Sequence, residues 1–114
     1  MNQLYAQGDL LVERVADMPV SGATVEPGPD GAAVLLEGET TGHRHAIYDR
    51  ITMFRDDSLA HDIPDGLYVG HVRIDGPCAR IQHDEHDPIT LPKGTYRIRR
   101  QRELDPKDAR IVAD

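Results

Sequence analysis

The chain has 114 residues, which predicts one domain, residues 1–114, large enough to bury a core without disulfide staples. A net charge of −7 argues against general binding to nucleic-acid phosphates, and 4% aromatic residues with no Trp leave no stacking platform for single strands. No apolar stretch approaches the roughly 18 residues of a membrane span, no basic-then-apolar leader opens the chain, and the lone Cys78 forms no internal disulfide, so the expected compartment is the cytoplasm.

The first predicted element is a strand over Gly8–Val15, short, β-branched towards its end and stopped by Met18-Pro19. Residues 19–31 carry Pro19, Gly22, Pro27, Gly28, Pro29 and Gly31 and read as loop, with room for a short strand at Ala23-Thr24-Val25. Ala32–Glu37 is nearly all apolar and predicts a central strand. After the polar turn Gly38–Gly42, the run His43–Tyr48 predicts a strand whose period of two sets His43, His45 and Ile47 on one face.

Ile51–Arg55 predicts a further strand, and Leu59–Ile63 has no clear period. Leu67–Ile74 and Cys78–His83, joined by Asp75-Gly76-Pro77, predict a hairpin. Asp84–Pro88 is a polar loop, Ile89–Leu91 a short strand, and Thr95–Glu103 the longest strand, reached through the turn Pro92-Lys93-Gly94. The tail Ala109–Val112 fits an edge strand or a helical turn. About eight short strands and no apolar run of helical period make the expected fold all-β, a single small barrel or sandwich.

Charge is unevenly spread. Lys93, Arg97, Arg99, Arg100 and Arg102 fall in ten residues that hold no acid, which leaves 8 basic against 20 acidic groups elsewhere. Such a strand pairs with acidic neighbours or takes a small anionic ligand. Arg97 and Arg99 share one face of it, and Tyr96, Ile98 and Arg100 share the other. Arg100 is therefore the candidate to hold a carboxylate, the protein's own or a substrate's.

Four of the six histidines form two close pairs, His43/His45 and His83/His86. Histidines at i and i+2 on a strand lie about 6–7 Å apart and point the same way. Those at i and i+3 converge across a bend, which Asp84-Glu85 and Pro88 suit. Both pairs thus have chelating spacing and together predict one divalent transition-metal site, with zinc, iron, copper or nickel suited to neutral imidazole. Glu85, Asp49 and Glu39 are the candidate further ligands or acceptors for an imidazole N–H, and Glu85 or Asp49 the candidate general base. His61 and His71 read as ordinary solvated and packed histidines, and Cys78 as a small packed residue.

The stretch Gly38, four residues, His43-Arg44-His45, three residues, Asp49 resembles the first motif of the cupin family, with a spacer one residue short and Asp in place of Glu. Pro92-Lys93-Gly94 resembles the start of the second motif, but Tyr96 and Arg97 stand where its histidine would follow. The resemblance implies a small barrel with a metal in its mouth, His43 and His45 as two ligands, and His83 or His86 in place of the missing one. The glycine-aspartate opening is also similar to small chaperonin-like and β-clip barrels. Three functions remain open: a metalloenzyme acting on a small molecule, a protein in which the metal is a staple or sensor, and a metal-free accessory or interaction domain, with a homodimer through strand edges compatible with each.

Overall fold

The computed structural model describes residues 3–38 and 42–101. Leu4–Gln7 (β1) and Leu10–Val15 (β2) pair as an antiparallel hairpin, from Leu4 opposite Glu13 to Gln7 opposite Leu10. Gly8-Asp9, read from the sequence as the start of a strand, is instead the turn between two. Ala23–Val25 (β3), Ala33–Glu37 (β4), Arg44–Ile47 (β5) and Ile51–Arg55 (β6) follow. A single 3-10 turn, Asp57–Leu59, is capped by the Asp56 carboxylate, which accepts the Ser58 N–H. Tyr68–Ile74 (β7), Cys78–Gln82 (β8), Ile89–Pro92 (β9) and Thr95–Arg100 (β10) complete ten strands among the described residues.

These strands form two antiparallel sheets, one ordered β1-β2-β10-β7-β6-β3 and the other β4-β5-β8-β9. The all-β expectation holds, but the barrel does not. Among the described residues no ladder joins the sheets, which share a core between them. That core holds Leu10, Val12, Val72, Tyr96 and Ile98 from the first sheet and Leu35, Ile47, Ala79, Ile81 and Leu91 from the second.

Three other expectations are corrected. β7 and β8 do not pair: β7 already has β6 on one side and β10 on the other, so Asp75-Gly76-Pro77 carries the chain across to the second sheet. β4 is an edge strand despite its apolar run, with Val34 turned to solvent. β10 has six residues and ends at Arg100, so β7, with seven, is the longest strand among the described residues. Arg102, Glu103, Glu39 and the tail 109–112 lie outside the described residues. Among the described residues no helix is long and apolar enough to cross a membrane.

On the face of the first sheet turned away from the core, Phe54 and His71 stack with ring centroids 5.3 Å apart, both buried. Tyr68 Oη lies 2.7 Å from His71 Nδ1 and accepts the Asp56 N–H. Arg97 reaches over from β10, donates to Leu59 O, and clasps Asp62 with two nitrogens at 2.7 and 2.9 Å. Within the charged strand read from the sequence, Arg97 and Arg99 face acidic neighbours: Arg97 also bonds Glu13, and Arg99 stands 3.9 Å from the same carboxylate.

Candidate metal centre

β5 and β8 are neighbours, with Ala46 opposite Gln82 and Ile47 opposite Ile81. Carried past the end of that ladder, the same register sets His45 across from His83 and His43 across from Glu85. The side chains follow it. The His45 and His83 ring centroids are 4.3 Å apart, and His43 Nδ1 is 3.1 Å from Glu85 Oε1. The hairpin that delivers His43 is closed by Gly38 donating to His43 O.

After β8 the chain bends back. His83 Nδ1 accepts the N–H groups of Glu85 and His86, which tightens the bend and returns His86 to His83 at 4.6 Å between ring centroids. His43 lies 5.7 Å from His83 and His86 lies 6.4 Å from His45, again between centroids. All four imidazoles therefore gather at one end of the molecule. Two donated bonds occupy the His83 Nδ1 lone pair, so in this arrangement a neutral His83 carries its proton at Nε2.

The contribution of the β1–β2 hairpin has no counterpart among the candidates read from the sequence. Gln7 is buried, and its Nε2 donates to Ile81 O at 3.1 Å and Asp87 O at 2.8 Å, tying the first sheet to the second. Its Oε1 lies 2.8 Å from His45 Nδ1. On the other side of that ring, Nε2 lies 3.1 Å from Asp9 Oδ1. Gly8 has φ +58°, and a Cβ there would stand 2.7 Å from His86 Nε2. Only glycine gives both the turn and that close approach without strain. Gln101 braces the turn from β10, its Nε2 donating to Gly8 O and its N–H to Asp9 O.

His45 is 3% exposed. Burial is the main cause that pushes its pKa below the usual 6.5; Asp9 opposes this, and His83 and His86 add to it. The His83 pKa is lowered as well, by loss of water and then by His86.

The other candidates are placed differently. Glu85 is exposed and holds His43 rather than facing the buried rings. Asp49 accepts the backbone N–H of Arg80 and is engaged there instead. Arg100 is exposed, opposite Leu10 at the end of β10. His61 is exposed and His71 buried, in accord with their ordinary reading, whereas Cys78 is exposed rather than packed. Pro92-Lys93-Gly94 makes the β9–β10 turn, where Pro92 O accepts the Tyr96 hydroxyl.

Among the described residues no three His, Cys, Asp or Glu side chains stand as a ready cage for an ion. A cleft of about 330 Å³ opens beside the rings, lined by Ala6, Glu85, His86, Asp87, Pro88 and Ile89. No curated protein and no solved structure gives a significant match. Residues 6–101 match the family model described as Domain of unknown function (DUF8820), and the chain belongs to that family.

Proposed function

We propose that this is a small divalent-metal-binding β protein whose site is the imidazole cluster of His43, His45, His83 and His86. The observation that carries this reading is the convergence of four rings from two separate chain segments, with the His83 centroid 5.7, 4.3 and 4.6 Å from those of His43, His45 and His86. Four neutral imidazoles form a donor set suited to zinc, iron, copper or nickel. Glu85 orients His43 through its Nδ1, the usual role of a carboxylate behind a ligating histidine. His83 joins the set only on releasing the two N–H groups it now accepts.

A bound ion would supply Lewis acidity towards water or a carbonyl. The adjoining cleft has the size of a small-molecule site, for which about 300 Å³ is the lower end. Arg100 is the cation for a substrate carboxylate. The second reading, a metal-free accessory domain, draws on the role of His83 as a cap for the bend at Glu85 and His86, which is structural without any ion.

Elemental analysis of the full chain, purified without a histidine tag, separates the two. The expected result is close to one divalent ion per chain, lost in His45→Ala and kept in His61→Ala. Protein that carries no ion and gives no binding heat with added Zn²⁺ or Ni²⁺ overturns the metal reading.

A further inference from the structure

We infer that Asp9, held by the β1–β2 turn, is a metal ligand paired with His45 Nε2, and that Gln7 sets the ring for it. This deepens the reading above and rests on it.

The orientation of the Gln7 amide is fixed by its partners. Its Nε2 faces two carbonyl oxygens, Ile81 O and Asp87 O, and turning the amide over would set oxygen against both. Its Oε1 is thus the atom beside His45 Nδ1, and it can only accept. His45 Nδ1 must then carry a proton. In a neutral ring this leaves the lone pair on Nε2, and the atom facing it at 3.1 Å is a carboxylate oxygen. Two acceptors this close need a cation between them, either a second proton on the ring or a metal ion.

The surroundings favour the ion. A ligating histidine ordinarily donates its other N–H to a carbonyl-type oxygen, which is the part Gln7 plays. The 3.1 Å gap suits two donors sharing one ion, each about 2.0–2.2 Å from it. The His83 and His86 rings stand beside the same ring, at 4.3 and 6.4 Å between centroids, so further imidazoles are at hand. The backbone that carries Asp9 is pinned by the Gln101 N–H and by the left-handed Gly8, so the carboxylate is presented from a braced turn. A further donor would come from His86, whose Nε2 is 2.7 Å from where a Cβ on Gly8 would stand. A mixed imidazole and carboxylate set suits zinc, iron(II), cobalt and nickel. It is too hard for copper(I) and too rich in nitrogen for calcium or magnesium.

The test uses the full chain and the metals alone. Calorimetric titration with Zn²⁺ and Ni²⁺ compares the parent protein with Asp9→Asn, Asp9→Glu and His61→Ala, each first checked for an unchanged far-UV spectrum. Asp9→Asn is expected to weaken binding by about 10–100-fold or more, Asp9→Glu by less, and His61→Ala not at all. Long-range proton–nitrogen NMR on the metal-free chain reads the tautomer, with His45 protonated at Nδ1 alone, and added Zn²⁺ is expected to shift Nε2. Parent-like binding by Asp9→Asn, or a His45 protonated on both nitrogens at neutral pH, overturns the inference and leaves the imidazole site standing. A parent chain that binds neither metal overturns both.

Discussion

Gln7 shows how one uncharged side chain can set the chemistry of another. It is buried with both ends of its amide engaged, to Ile81 O and Asp87 O on one side and His45 Nδ1 on the other. Gln7→Ala is expected to cost at least about 1–3 kcal/mol, because each buried polar group left without a partner costs that much; urea unfolding of the metal-free chain measures it. Nothing in Leu4-Tyr5-Ala6-Gln7 announces the role, since the partners of Gln7 lie 38 to 80 residues away. The histidine pairs were legible because their spacing is local. The contributions of Gln7 and Asp9 were not, because a turn between two strands acquires a partner only when the sheets stack.

At the scale of elements, the outer face of β10 acts as a clasp. Arg97 holds Asp62, Leu59 O and Glu13, and these bonds keep its guanidinium charged at any accessible pH. Arg97→Ala is expected to lower stability by about 1.5–3 kcal/mol, the range for a hydrogen bond to a charged group, and leaves Glu13 with the more distant Arg99. Arg99→Ala, at 3.9 Å from Glu13, should cost under about 1 kcal/mol. Thermal unfolding of the two variants checks the contrast. Beneath the clasp, burial and then Arg97 hold the His71 pKa below its usual 6.5. The unfolded chain therefore takes up a proton that the folded chain refuses, so this contribution is complete above about pH 6.5 and is lost as pH falls below it. His71→Gln should flatten the fall in melting temperature on that acid side relative to the parent, with both measured in chelator.

Strand positions were largely readable, because β-branched and apolar runs broken by glycine and proline mark them locally. Pairings were not. Asp75-Gly76-Pro77 has the composition of a hairpin turn, yet it links two sheets because both sides of β7 are already taken. The apolar run at β4 suggested a strand covered on both sides. Its alternation instead buries Ala33 and Leu35 and leaves Val34 at an open edge.

For the molecule as a whole, an ion that binds only the folded chain adds its binding free energy to stability. At a free metal concentration one hundred times the dissociation constant this is about 2.7 kcal/mol, or roughly 10–20 °C in Tm for a domain of this size. Differential scanning of the purified chain with Zn²⁺ and with EDTA should show that difference, and His45→Ala should abolish it.

β10 lies in the middle of its sheet, between β2 and β7, although it is the last of the described strands in the chain. During synthesis the hairpin bearing Gln7 and Asp9 has, among the described strands, none to pair with until residues 95–100 have left the ribosome. The histidine-bearing strands can pair earlier, through contacts closer in sequence. A nascent chain halted before Thr95 would therefore present its imidazoles beside a hairpin that still lacks its sheet partner, with the Asp9 carboxylate and the Gln7 amide less firmly held against His45.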